Sequence, residues 1–530
     1  MIPGVPPCVI FEDEHLLVVH KPAGWNTHAP APHAGEGIYD WLRHREARWA
    51  SLAIVHRLDK ETSGVMVFGK SPLANRSLTA QFTERDVHKR YLLLTNRPVP
   101  AGEVRVETGI VRAGERYVAS NRADAQHAVT IFRRVRETPR GWLVEAEPLT
   151  GRTHQIRVHA AERGFPILGD TLYGGAAAER LCLHAADLGF EHPQAGTGLM
   201  SFRAEAEFAG GARFGIREAC IEPAQTNAFR LIHGAADGWP GWYVDRLGDY
   251  VLSQSELVAD SAQRERLEQL RRETGARGAY HKVLRRQVRK TSLAEASPEF
   301  VAGEAAPERF ELLENGLRFE MSFGEGYSTG LFLDQRDNRR RWITGHVAAD
   351  WELSLAGREV LNAFAYTCGF SVAAARGGAR VTSLDLSRKY LDWGRRNFAL
   401  NGLDAAAHDF IYGDVFDWLK RLGKKGRKFD AVILDPPTFS QAGKGEVFRA
   451  EKDYGRLLVS ALGVLNRGGV VLASTNAARL EPAEFVAELG AASRSAGRKL
   501  VRNFYVPQPP DFPITRAEPG YLKTVWLQFD

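Results

Sequence analysis

The sequence predicts three consecutive folds. Residues 1–222 read as an α+β domain with a mostly antiparallel sheet, 223–303 as a small α+β connector, and 304–530 as an α/β domain with a doubly wound, mainly parallel sheet. Three observations carry this. Short alternating apolar segments dominate the first part ("KRYLLLT", "AVTIFRRV", "GWLVEAEPL"). A break at "CIEPAQTNAF" leads into one hairpin pattern, "YVDRLGDYVLSQ", and one helix pattern, "SAQRERLEQLRRETG", with a glycine stop. From about residue 305 apolar runs ("EVLNAFAY", "ARVTSLDLS", "HDFIYGDVF", "FDAVILDPP", "GGVVLASTN") alternate with helical stretches such as "SRKYLDWGRRNFALNG" and "EKDYGRLLVSALGVLNRGG".

Bulk properties agree with several globular domains. At 530 residues the chain is too long for one ordinary domain, and 44% hydrophobic with 25% charged residues is an ordinary balance. The net charge of +6 divides as roughly +2 over residues 1–220, 0 over 221–304 and +4 over the rest, so there is no polybasic tail. Two basic runs, "KVLRRQVRK" (282–290) and "KRLGKKGRK" (420–428), suit phosphate contact or a solvated face alike. The four cysteines form no CxxC pair or disulfide framework, which suits a reducing, cytoplasmic setting. No signal peptide and no run of ~18 apolar residues is present, so no membrane association is expected.

In the first domain "VIFEDEHLLVVHKPAGW" gives a strand, an acidic turn, a second strand and a Lys-Pro-Ala-Gly stop. "IVHRLDKETSG" (54–64) then ends an apolar run on Asp59, fenced by Arg57 and Lys60. A second charged constellation, "GRTHQIRVHA" (151–160), carries Arg152, His154, Arg157 and His159, and Tyr91 lies on the strand between them. Only folding could bring these groups together. An Asp–Arg pair also reads as a structural salt bridge, and a strand tyrosine as core.

"HRLDKETSGVMVFGKS" and "GRTHQIRVHAAERGFPILGDTLYGG", about a hundred residues apart, together with the opening strands, resemble the RluA family of RNA pseudouridine synthases over residues 1–190. The small RNA-binding domain found ahead of the core in some members is not expected, since the sequence starts in the core. The resemblance implies that Asp59 is the ionised carboxylate of the reaction, as nucleophile or base. Arg157 would hold it ionised through a bidentate pair, with Arg152 as second choice. It further implies that Tyr91 stacks on the target base and helps remove the carbon-5 proton, and that Arg57 fills the gap left by the flipped uridine. No cofactor or metal is implied for this domain.

In the last domain "VLNAFAYTCGF" (360–370) leaves an apolar strand for a small-residue loop, where a doubly wound sheet binds nucleotide-like ligands. It supplies Asn362, Phe364, Tyr366 and Gly369. The next strand ends at Asp385, suited to ribose hydroxyls, and the third at Asp414, suited to an adenine amino group. Strand-end acids also serve as helix caps, and Ser387 is placed to cap the following helix. The fourth strand ends in Asp435-Pro436-Pro437, whose prolines stop the strand and stiffen the backbone.

These segments resemble a Rossmann-like class I S-adenosylmethionine-dependent methyltransferase, and most closely the large-subunit ribosomal RNA methyltransferases (RlmK-like or RlmI-like), over residues 225–530. "NAFRLIHGAADGWPGWYVDRLGDYVLSQ" resembles the connecting domain of that group. "TGLFLDQRDNR" (329–339), with Asp334 and Arg336, resembles the segment lying over the cofactor. Two branches compete. The cytosine carbon-5 branch carries a cysteine after the strand that follows the Asp-Pro-Pro motif, and here that place reads "LASTNAARL", with Thr475 and Asn476. "DPPTFS" and "SRKYLDWGRRNFALNGL" resemble the guanine nitrogen-7 branch, which implies a purine clamped by Asp435, Pro436, Pro437 and Phe439, with Phe439 stacking and Asp435 also at the cofactor. "YLKTVWLQF" (521–529) resembles the cytosine branch. The implied whole is a bifunctional RNA-modifying enzyme with S-adenosylmethionine as the cofactor of its second half and large-subunit RNA as partner. The rivals are one domain acting only as an RNA-binding platform, and a methyltransferase for a protein or small molecule.

Overall fold

The computed structural model describes residues 5–209, 215–284, 293–325, 328–441 and 447–530. The chain divides into two compact units, one essentially up to Glu222 and one from Pro223 onward, with 31–35 and 44–47 grouped with the second. No helix among the described residues is long and apolar enough to cross a membrane. Residues 285–290 of the first basic run lie outside the described residues.

The first unit is built on an 11-stranded sheet. Its main order is Val9–Glu12, Leu16–Lys21, Ser63–Gly69, Leu183–Glu191, His88–Thr95, Gly141–Pro148, Gln126–Thr138, Glu103–Ala113, Arg116–Ser120. Along this path only the pair Ser63–Gly69 with Leu183–Glu191 is parallel. All seven residues of "SGVMVFG" are buried, so this strand is covered on both faces and reads as a continuous apolar run rather than an alternation. Gly64 is obligatory there. Its φ is +131°, and a Cβ would stand 2.2 Å from the Ala185 carbonyl oxygen of the parallel neighbour.

The second unit joins the connector and the last domain through one apolar core. Leu247, Tyr250, Leu252 and Tyr280 of the connector pack in the same cluster as Phe310, Phe319, Phe323 and Trp342. The connector sheet has five strands, in which Tyr250–Ser255 and Gly278–Val283 run parallel. The helix Ser261–Glu273 makes that crossover, and Asp260 caps it by accepting the Gln263 N–H.

A seven-stranded sheet follows, ordered Asp409–Tyr412, Arg380–Asp385, Glu359–Ala363, Phe429–Leu434, Leu465–Thr475, Lys523–Phe529, Leu500–Val506. The first five strands are parallel, and the strand carrying "KTVWLQF" inserts antiparallel beside the fifth. The order reverses between Glu359–Ala363 and Phe429–Leu434, and such a switch point is where a doubly wound sheet opens a crevice. The predicted fold class is therefore the one observed.

Candidate active sites

In the first unit Asp59 sits in the loop before Ser63–Gly69, and its neighbours are held by the backbone on both sides. The Thr27 hydroxyl donates to the Leu58 carbonyl at 2.8 Å and accepts the Leu58 N–H at 3.3 Å. On the other side Lys21, fully buried, donates to the carbonyls of Pro22, Trp25 and Lys60 at 2.9, 2.7 and 3.1 Å. Burial pushes the Lys21 ammonium down to about 7, against the pull of the Glu61 and Asp59 charges. The Asp59 carboxylate is thus aimed by a fixed loop while its side chain remains 24% exposed.

Tyr91 is half-buried on the central strand His88–Thr95, and burial together with the Asp59 charge raises its phenol, which stays protonated. Arg57 is exposed on the same loop as Asp59.

The predicted bidentate pair is a point of correction. Arg157 is buried beside this site, but its fork closes on Asp170, with Nε and Nη2 at 2.8 and 2.7 Å from the two carboxyl oxygens. Its Nη1 donates to His154 Nε2 at 3.2 Å, and His154 Nε2 in turn lies 3.9 Å from Asp59 Oδ2. The physical reason is burial: Asp170 is inaccessible and takes the bidentate partner a buried carboxylate requires, whereas Asp59 keeps water on one side. Arg152 instead donates to the His127 carbonyl at 3.2 Å.

His154 links these groups. Because Nε2 accepts from Arg157, the ring is neutral and carries its proton on Nδ1, which donates to the Tyr173 hydroxyl at 2.8 Å. That hydroxyl also accepts the Tyr117 N–H at 2.9 Å. His154 holds a left-handed backbone, φ 57°, at the start of the helix Gln155–Glu162. A non-glycine residue in that region costs on the order of 1–3 kcal/mol, and here hydrogen bonds on both ring nitrogens maintain it. Asp170 and Tyr173 lie inside "GDTLYGG", and the sequence alone assigns them no role. The signal was their place in that motif.

In the second unit the loop after Glu359–Ala363 holds three left-handed non-glycine residues in five: Phe364, Tyr366 and Cys368, at φ 61°, 49° and 64°. Asp385 secures it, accepting the Tyr366 N–H and the Ser387 N–H at 2.8 Å each. Each carboxylate oxygen has a second lone pair, so the acid can still accept from a diol. Asn362 lies behind the loop, buried and bonded to the Ser371 hydroxyl at 2.9 Å. Gly369 starts the next helix against Leu331, whose methyl a Cβ would approach to 2.8 Å. An acceptor acid beside a backbone turned this sharply fits an adenosine-type cofactor.

Two predicted cofactor contacts have other work. Arg336 is buried and forked onto the fully buried Asp511 at 2.7 and 2.9 Å, a tie between two chain segments rather than a ligand group. Asp414 caps the helix Val415–Lys424 by accepting the Asp417 N–H at 3.1 Å, the simpler of the two readings for a strand-end acid.

Asp334 and Asp435 come together. The Tyr521 hydroxyl donates to Asp334 Oδ2 at 2.9 Å. Burial first, then the neighbouring Asp334 charge, lifts the Asp435 carboxyl to about 7, against hydrogen bonds from Ser474 and Gln335. The Tyr454 hydroxyl bonds the Leu434 carbonyl at 2.8 Å and so pins the strand end before Asp435. Pro436 is buried, while Pro437 and Phe439 are exposed. Thr475, where a cysteine would stand in the cytosine branch, is fully buried. Cys368 is fully buried as well, and burial pushes its thiol up to about 12.

Residues 230–526 match the S-adenosylmethionine-dependent methyltransferase family, and residues 15–162 match the RNA pseudouridylate synthase family. The chain is 37% identical over 308 residues to a ribosomal RNA large subunit methyltransferase of Deinococcus radiodurans, covering 58% of this chain and 73% of that one. It is 33% identical over 310 residues to the ribosomal RNA large subunit methyltransferase I of Aeromonas salmonicida, covering 58% and 76%. Among solved structures, SMU.776, described as a methyltransferase complexed with SAH, superposes with a TM-score of 0.50 at 32% identity, covering 57% of this chain and 76% of that one.

Proposed function

We propose that this chain, which belongs to the S-adenosylmethionine-dependent methyltransferase family and carries an RNA pseudouridylate synthase domain ahead of it, isomerises uridine with its first unit and methylates guanine nitrogen 7 of large-subunit ribosomal RNA with its second. The similarity to two ribosomal RNA large subunit methyltransferases supports the RNA target.

In the first reaction the bond from sugar carbon 1′ to ring nitrogen 1 breaks, the uracil turns, and carbon 5 bonds to carbon 1′ with loss of its proton. No atom is supplied from outside beyond the proton that returns to nitrogen 1, so Asp59 and a proton acceptor suffice. Arg57, Tyr91 and Arg157 flank Asp59 in the roles of gap filler, base platform and support, the last acting through His154.

In the second reaction S-adenosylmethionine supplies an electrophilic methyl. Asn362, Phe364, Tyr366, Gly369 and Asp385 form or back its loop. Pro436, Pro437 and Phe439 hold the base. One observation carries the choice of acceptor atom: Cys368 is the only cysteine after residue 220, and it is a buried, protonated thiol. Carbon-5 methylation of cytosine needs a thiolate to activate the ring, whereas guanine nitrogen 7 attacks with its own lone pair. Methylation there leaves a positive charge on the purine, which the acids Asp334 and Asp435 would stabilise as it develops. The resemblance of "YLKTVWLQF" favours the second reading, cytosine carbon 5.

The test is mass analysis of nucleosides from bulk ribosomal RNA treated with the protein and methyl-labelled cofactor. Labelled 7-methylguanosine is expected, and transfer survives iodoacetamide. Labelled 5-methylcytidine would overturn the assignment.

A pH dependence follows from Asp435. Its ionised form supports the reaction, so kcat/KM rises with pH and levels off above about 7. Stability runs the other way. A carboxyl whose folded pKa is raised binds its proton more tightly folded than unfolded, so stability declines as pH rises from 3.8 to about 7. Asp435→Asn flattens both profiles. An unchanged inflection near pH 7 in that variant would assign the titration elsewhere.

A further inference from the structure

We infer that the outer face of the helix Val415–Lys424, together with Tyr412 at the sheet edge beside it, is a docking strip for an unpaired strand of the RNA that the second unit methylates. This rests on the RNA target proposed above and not on which base atom takes the methyl. The strip carries most of the basic run "KRLGKKGRK" (420–428), which by sequence alone suits phosphate contact or a solvated face alike. Folding divides that run. Arg427 is committed inward, to Asp409 at 2.6 Å and the Thr382 hydroxyl at 3.0 Å, and the Lys428 ammonium donates to the Gly463 carbonyl. Lys420, Arg421, Lys424 and Lys425 stay exposed, and among the described residues none of their side chains is held in an ion pair or hydrogen bond.

The helix buries Val415, Leu419 and Leu422, so its other face meets water, and Asp417 is its only acid. Cations in a last turn answer the helix dipole, but four within six residues against one acid exceed that need. The aromatic part of the strip singles out RNA among anionic partners. Strand Asp409–Tyr412 is the edge of the seven-stranded sheet, and Tyr412 at its end is 50% exposed. The Arg388 guanidinium lies over its ring, 4.7 Å from the centroid. The Trp418 indole donates to the Tyr412 carbonyl at 3.2 Å and carries the Arg421 guanidinium over its own ring at 5.3 Å. Arg421 is thereby held next to Tyr412. Guanidinium and ring planes of this kind are what unpaired bases stack on, while the lysines beyond meet phosphates. An acidic protein segment would use the charges and leave the ring without a purpose. Tyr412 is the register partner of Asp385, so the strip begins at the cofactor end of the sheet and runs about 15 Å along the helix.

The test is methyl transfer from labelled cofactor to bulk large-subunit RNA by the full chain, followed over a range of salt. One variant combines Lys420→Gln, Arg421→Gln, Lys424→Gln and Lys425→Gln. Its KM for RNA rises about tenfold or more at low salt while kcat is unchanged. Its fall of log kcat/KM with log salt is shallower by about 3, at ~0.7 for each phosphate a cation neutralises on a single strand. Tyr412→Ala raises KM about tenfold with the wild-type salt slope, the scale of one lost base stack, and Tyr412→Phe keeps the wild-type KM. Affinity for S-adenosylhomocysteine, measured by calorimetry, is unchanged in all three, and this also reports that the unit is folded. Either the quadruple variant or Tyr412→Ala decides alone if the other loses its thermal transition.

A folded quadruple variant with the wild-type KM and salt slope would make the face a solvated one, or a seat for an acidic protein, and overturn the proposal. A quadruple effect with Tyr412→Ala at the wild-type KM would overturn the unpaired strand and put duplex backbone in its place. Weakened S-adenosylhomocysteine binding by folded Tyr412→Ala would make the ring a wall of the cofactor site and overturn its part in the strip. The labelled nucleoside separates this proposal from the function reading. A 5-methylcytidine product sinks the guanine assignment and leaves the strip standing, whereas a wild type that labels no RNA sinks both.

Discussion

Asp59→Asn abolishes pseudouridine formation, by on the order of 10⁴-fold or more, the scale seen when a reacting side chain is removed from an otherwise intact site. Asparagine matches aspartate in size, and the loop that aims position 59 is held through its neighbours. The Thr27 hydroxyl clamps Leu58, and the Lys21 ammonium clamps the Lys60 carbonyl. Neither contact uses the Asp59 side chain, so the variant folds and binds RNA while losing the charge that acts on the sugar or ring. Methyl transfer, which draws on residues after 222, stays at the wild-type rate. Release of tritium from RNA labelled at uridine carbon 5 measures the first activity, and filter binding measures affinity. A variant that still released tritium would remove Asp59 from the chemistry. A wild type that bound RNA and released none would make this unit a binding platform.

Asp511→Ala destabilises the second unit by about 3–5 kcal/mol, the cost of breaking a buried ion pair by removing one member. Asp511 is fully buried and accepts hydrogen bonds from the Arg336 guanidinium at 2.7 and 2.9 Å and from the Arg230 backbone N–H at 2.9 Å. Removing it takes the bidentate partner from Arg336, which is itself almost inaccessible and keeps its Nε contact with Asp337 Oδ1 at 3.3 Å. Total stabilities lie at about 5–15 kcal/mol, so the loss is a large share of what holds the unit. Thermal unfolding should fall by on the order of ten degrees. The double replacement Arg336→Met with Asp511→Leu recovers most of this, because it removes both charges and fills the space. Equal melting of Asp511→Ala and wild type would show that contacts such as the one with Asp337 suffice for Arg336. It would also reopen its assignment to the cofactor.

Much of this protein was legible from its residues alone. The run "FDAVILDPP" declares a covered strand because burial on both faces demands nearly unbroken apolar character. Ser387 declares a helix start because its side chain satisfies a local N–H group. The absence of a cysteine from "LASTNAARL" is read directly from the residues and is the starting point of the guanine proposal.

Tertiary structure decided what depends on pairing between distant charges. From sequence, Arg157 belonged to Asp59, and Arg336 and Asp414 to a cofactor. In the fold Arg157 answers the deeper carboxylate Asp170, Arg336 answers Asp511, and Asp414 answers its own helix. Sequence order shows which side chains can ionise. It does not show which lose their water, and loss of water determines which charges must be paired inside and which remain for chemistry. Asp59, still partly wet and beside a neutral His154, and Asp435, raised to about 7 next to Asp334, owe their character to that difference.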